Sequence, residues 1–168
     1  MPIRVFAILG VSRSAKLEAL TGIKNIEIFD FQKELDDLLK LGQEGCRQVG
    51  NYFGEEFLNK DGSLRIKKLW KFVMSDFHKL RIFYHVVEPI LLNRLQNLKD
   101  STACERIVVL MPGLLNTAAL NKFDQLIYLD LPLEDSLDDI LNRAFIKPRD
   151  VTNVVKSIAS LREQVESW

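Results

Sequence analysis

Cysteine and histidine are scarce: the 168 residues hold two of each. Cys46 and Cys104 stand in no CxxC or Cys/His spacing, which argues against a zinc module and leaves two reduced thiols as the expectation. His78 and His85 fall two helical turns apart, too far for an i, i+4 metal pair, so both are expected as surface or hydrogen-bonded side chains. Neither sign of charge is in excess: Lys+Arg and Asp+Glu both number 23, which excludes the overall basic surplus of a nucleic-acid binder. No apolar run reaches the ~20 residues needed to span a bilayer. The first nine residues also lack the basic segment and long apolar core of a signal peptide. A cytoplasmic protein with neither membrane nor nucleic acid as partner is the resulting expectation. Internal repeats and low-complexity tracts are absent too.

What the chain does have is a hydrophobic content of 47%, enough for an ordinary core in one domain over residues 1–168. Apolar runs at 3–9, 107–111 and 125–131 and the alternating segment 25–30 read as strands. A short helix is expected at 15–20, ending at Gly22, with further helices at 32–41, 44–57, 64–73, 76–97, 133–143 and 150–166. Residues 59–63 form a turn around Asp61-Gly62, and Pro89 should kink the 76–97 helix or restart it. Trp70, Phe72, Val73, Phe77, Leu80, Phe83 and Tyr84 lie at helical spacing and are expected as core. Near-continuous apolar strands alternating with helices argue for a parallel sheet covered on both faces. The helical block at 32–97 is too large for a simple crossover and reads as an insertion walling a cleft. Ligands of such sheets bind beyond the strands' carboxyl ends, where Gly10, Asp30, Met111 and Asp130 are expected.

The segment 9–17, LGVSRSAKL, follows the first strand directly. A phosphate-binding loop requires G-x-x-x-x-G-K-[ST] between a strand and a helix. Gly10 and Lys16 stand at that spacing, but Ala15 takes the place of the second Gly and Leu17 that of the Ser/Thr. Two readings stay open: a working phosphate site built on Gly10, Arg13, Ser14 and Lys16, or a plain strand-to-helix turn.

Further along, Tyr52-Phe53-Gly54-Glu55-Glu56-Phe57-Leu58 with Asp61-Gly62-Ser63-Leu64, then Ser75-Asp76-Phe77-His78-Lys79-Leu80 and Val86-Val87-Glu88-Pro89-Ile90, follow one another in order. Pro112-Gly113-Leu114-Leu115-Asn116 and Tyr128-Leu129-Asp130-Leu131 continue the series. Over nearly the whole chain this resembles the dephospho-coenzyme A kinase family, of the P-loop nucleotide-kinase class. The resemblance implies an α/β, three-layer P-loop kinase-like parallel sheet with an inserted helical substrate-binding region at 32–97. It also implies transfer of the γ-phosphate of ATP to the ribose 3′-hydroxyl of dephospho-coenzyme A. Asp30 matches the first carboxylate of the family's Asp-x-Asp and would act as base on that hydroxyl, or would simply cap the strand end. Lys16 would reach a phosphate. Residues 143–152 are the lid candidate, with Arg143 or Arg149 closing on ATP; the alternative is a basic solvated turn.

Departures from the family pattern run through the site. Leu17 offers no oxygen to Mg²⁺, so ATP and Mg binding are expected to be weakened. Gln32 replaces the second Asp, Glu88 the His of His-Pro, and Asn116 an acid, while Asp36 and Ile66 stand where arginines are usual. The stretch from Lys16 to Asp30 is shorter than the family's. The family also continues with a strand and helix beyond the position of Trp168, so an open sheet edge is expected, covered by Val165, Trp168 and the 150–166 face or by a protein partner. The combination favours an impaired kinase retained to bind nucleotide or coenzyme or to contact a partner. An active kinase is the alternative, and a P-loop-like fold unrelated to coenzyme A is a third reading.

Overall fold

In the computed structural model, residues 2–10, 13–111 and 122–129 are described. The strands β1 (Arg4–Leu9), β2 (Ile26–Asp30), β3 (Arg106–Leu110) and β4 (Gln125–Tyr128) form one parallel sheet in the order β2-β3-β1-β4. The helices are α1 (Arg13–Ala19), α2 (Phe31–Leu38), α3 (Glu44–Phe53), α4 (Ile66–Val73) and α5 (Phe77–Ser101). The expected α/β class with a parallel sheet is therefore the fold observed.

The two central strands explain why the apolar runs do not alternate with polar residues. Val5, Ala7 and Leu9 of β1 and Ile107 and Val109 of β3 pack with the helical block on one face. Ile8, Val108 and Leu110 pack with Leu17 and Leu20 on the other. With both faces covered, every position after the exposed Arg4 and Arg106 at the strand starts is apolar. β4 is fastened to β1 at its start: the Asp124 amide donates to the Val5 carbonyl at 2.9 Å, and the Asp124 carboxylate accepts from the Val5 amide at 2.7 Å.

The block between β2 and β3 is helical, as its periodicity predicts, and the helices differ from expectation chiefly at their ends. The 44–57 helix ends at Phe53 because Gly54 adopts φ 104°, a conformation costly for any residue with a Cβ, and a 3-10 turn at Glu55–Phe57 follows. Between β1 and β2, helix α1 begins at Arg13, two residues before the expected start. Pro89 does not restart the long helix: α5 is assigned as one element from Phe77 to Ser101. A proline there removes the amide that would bond the His85 carbonyl, at about 3 kcal/mol. Burial of Leu80, Phe83, Tyr84, Val87, Leu91 and Leu95 along the same helix outweighs that cost. Asp76 sets the helix start by accepting from the His78 amide at 2.7 Å.

Of the aromatic-rich positions, Val73, Leu80, Phe83 and Tyr84 are buried, and Trp70 and Phe72 pack against them from partly buried positions, as expected of core. Phe77 is of intermediate exposure and lies outside this cluster. His78 and His85 are exposed, and Cys46 and Cys104 are free thiols. Among the described residues no helix is long and apolar enough to cross a membrane.

The turn at 59–63 forms as expected. The Asn59 amide donates to the Ser63 carbonyl at 2.8 Å, and the Asp61 carboxylate accepts from Ser63 Oγ at 2.6 Å and from its amide at 2.9 Å. These bonds, the hydroxyl's first, hold the Asp61 carboxyl below the usual carboxylate range. A depressed folded-state pKa stabilises above the ordinary carboxylate range and is lost as pH falls through the folded value. A carboxyl-carbon NMR titration is expected to give Asp61 a midpoint below that of free aspartate; one at or above it would contradict the turn geometry.

Candidate functional site

Parallel register brings the carboxyl ends of the strands level. Ile8 stands beside Leu110, Leu110 beside Asp30, and Leu9 beside Tyr128. Gly10, Asp30, Met111 and Leu129 consequently share one edge, the place where such sheets bind ligands. Asp130 lies outside the described residues.

Gly10 turns the chain off β1 with φ 138°, and a Cβ there would sit 3.2 Å from the Leu129 carbonyl oxygen. Both the backbone angle and the close approach of the next strand's end call for glycine. Helix α1 then rises over the edge. Lys16 points back beneath it with 2% of its surface exposed, and its ammonium donates to the carbonyls of Gly10 at 2.6 Å and Met111 at 2.5 Å. It thus ties together the ends of β1 and β3. A buried ammonium needs such acceptors, because its desolvation is costly without them. The next residue, Leu17, turns to the opposite side and packs against the cluster of Ile8, Leu20, Val108 and Leu110.

Asp30 ends β2 and begins α2. One carboxylate oxygen, Oδ1, accepts from the amides of Gln32 at 3.1 Å and Lys33 at 3.3 Å, so the strand-end cap reading of Asp30 is met. The other, Oδ2, accepts from Arg13 Nε at 2.6 Å. Gln32 instead bonds Asp36 at 3.0 Å along the helix surface. Ser14 is exposed on the first turn of α1.

The structure therefore gathers Gly10, Arg13, Ser14, Lys16 and Asp30 at one edge. Arg143 and Arg149, the whole 143–152 segment, Asn116 and the helices expected over 133–143 and 150–166 lie outside the described residues, as do Val165 and Trp168. Glu88, singled out as the replacement in a His-Pro pair, is buried on α5 at 6% exposure. Arg65 is exposed at the start of α4, where its amide donates to the Phe57 carbonyl at 2.7 Å. The pairing of Arg13 with Asp30 and the Met111 carbonyl as a Lys16 acceptor were not foreseen. The first joins residues 17 apart in sequence and the second residues 95 apart, and no local pattern signals either contact.

A magnesium ion demands oxygen ligands in near-octahedral geometry. The position that would supply the loop hydroxyl is Leu17, packed into an apolar cluster, and among the described residues no group of three His, Cys, Asp or Glu side chains is placed to hold a metal. Leu17 therefore offers the ion no oxygen at that position.

A solved structure from Thermus thermophilus, the crystal structure of TT1252, matches the fold with a TM-score of 0.63 at 18% identity, covering 99% of this chain and 85% of that one. The dephospho-CoA kinase of Methylococcus capsulatus is 25% identical over 156 residues, 93% of this chain and 77% of the relative. That of Cutibacterium acnes is 23% identical over 158 residues, 92% of this chain and 68% of the relative. The sequence profile of the dephospho-CoA kinase family matches residues 10–167. With the loop, the parallel sheet and the helical block between β2 and β3 in that order, the chain belongs to the dephospho-CoA kinase family.

Proposed function

We propose that this chain binds dephospho-coenzyme A as its family does but transfers phosphate to it poorly or not at all. One observation carries the reading. Lys16, the loop cation placed to meet a phosphate, is buried inside α1 and donates to the carbonyls of Gly10 and Met111. Two of the ammonium's three donors are thus committed to backbone carbonyls rather than to a phosphate. Phosphoryl transfer relies almost wholly on positioned cations and ions that stabilise charge. A site whose lysine commits two donors to the sheet, and whose hydroxyl position is Leu17, is weakened at two of those supports.

The active-kinase reading draws on a different observation: Gly10, Lys16 and Asp30 do converge on the carboxyl edge. Thermal melting with dephospho-coenzyme A and with Mg-ATP, followed by a 3′-phosphorylation assay, separates the two. The expected result is a melting shift with dephospho-coenzyme A and no phosphorylation above the protein-free control. Turnover that disappears in Lys16→Ala and Asp30→Ala would establish the active kinase instead. A protein that melts identically with and without both ligands would point to a role in protein contact, and the coenzyme-binding reading would fall.

A further inference from the structure

We infer that Arg13 is a latch on Asp30, one that sets the affinity of this edge for the acceptor hydroxyl. The inference deepens the coenzyme-binding reading above and rests on it. To engage Asp30, a hydroxyl must donate to one of two carboxylate oxygens. Oδ1 is turned into the start of α2, where it accepts from the Gln32 and Lys33 amides. Oδ2 is the oxygen the cap leaves unused, and it accepts from Arg13 Nε at 2.6 Å. The two side chains differ in freedom: that of Asp30 is 10% exposed and fixed by the cap, whereas that of Arg13 is 46% exposed at the end of a long flexible stem.

A guanidinium–carboxylate hydrogen bond carries charge on both sides and is stronger than one from a neutral hydroxyl. An incoming alcohol must therefore compete with Arg13 at Oδ2, and it loses affinity by as much of that contact as it displaces. Because the guanidinium is half exposed, it can swing into solvent without unpacking any buried group. The contact is thus a removable blockade rather than a strut of the fold. It acts on the acceptor alone and is independent of whether phosphate is transferred afterwards.

Titration calorimetry with dephospho-coenzyme A and with its 3′-deoxy analogue tests the latch. The proteins compared are the full chain, Arg13→Ala and Arg13→Gln, the last keeping the side chain's bulk if the smaller residue disturbs α1. The latch requires both variants to bind dephospho-coenzyme A about tenfold more tightly, with no gain for the 3′-deoxy analogue. Equal affinity in all three proteins overturns the latch and leaves coenzyme binding intact. An equal gain with the deoxy analogue does the same, since the released group would then not be meeting the hydroxyl. Weaker binding by the variants would make Arg13 a contact for the coenzyme's own anionic groups and also overturns it. Binding of neither compound to any of the three removes the latch together with the reading beneath it.

Discussion

Exchanging Phe83 for Ala is expected to cost about 3–5 kcal/mol, the range for truncating a fully buried aromatic side chain. Phe83 is 0% exposed on α5. Its ring lies 5.0 Å from that of Trp70 on α4, 5.5 Å from that of Tyr84 and 6.3 Å from that of Phe53 on α3. Three helices of the block thus meet around one ring. The space it leaves is bordered by other large rings that cannot all close inward, so the cavity term adds to the lost transfer energy. Domains of this size melt about 2–4 °C lower per kcal/mol lost, so a fall of roughly 10 °C is expected. Urea unfolding should show the same loss as a lower midpoint at unchanged slope. A loss under about 1 kcal/mol would mean that the block repacks around the site, contrary to the dense contacts seen.

Lys16→Met should destabilise by about 2 kcal/mol, or roughly 4–8 °C in melting temperature. Methionine keeps the length and the apolar stem. The ammonium is lost, and with it the donor shared by the Gly10 and Met111 carbonyls. Each buried acceptor deprived of its donor costs about 1–3 kcal/mol, partly repaid because no charge need be desolvated any longer. The functional readout runs alongside. If Lys16 serves the sheet alone, any melting shift with dephospho-coenzyme A persists in the variant at the lower temperature, and any effect of Mg-ATP is no different from that on the parent. A variant as stable as the parent that has lost an ATP-dependent shift would reverse the assignment: Lys16 would then be a phosphate ligand first and a tie between strand ends second.

These two expectations differ in how far the sequence announces them. Phe83 belongs to a helical repeat of aromatic and aliphatic residues that the 3.6-residue period reveals directly, and its burial follows from that pattern. The two central strands are equally plain, since near-continuous apolar runs suit a sheet covered on both faces, while β2 shows itself by alternation. Helix ends were less legible. The 44–57 helix breaks at Gly54 because the chain adopts a positive φ there, which a glycine permits but does not require. Pro89 sits within α5 although its local chemistry favours a break, because burial along the apolar stripe exceeds the cost of one missing hydrogen bond.

By itself the sequence determined the class of fold, the order of strands and helices over the described residues, and the family, through motifs spread from Gly10 to Asp130. It also named the residues at the strand ends, because position relative to a strand is a local property. What those residues do for one another was decided only by the tertiary structure. Lys16 and Met111 meet because β1 and β3 are neighbours, and Arg13 meets Asp30 because α1 crosses the edge above them. A periodicity is written in each segment. A charge's partner is chosen by which segments the sheet sets side by side, and there the loop lysine found backbone carbonyls and the candidate base an arginine.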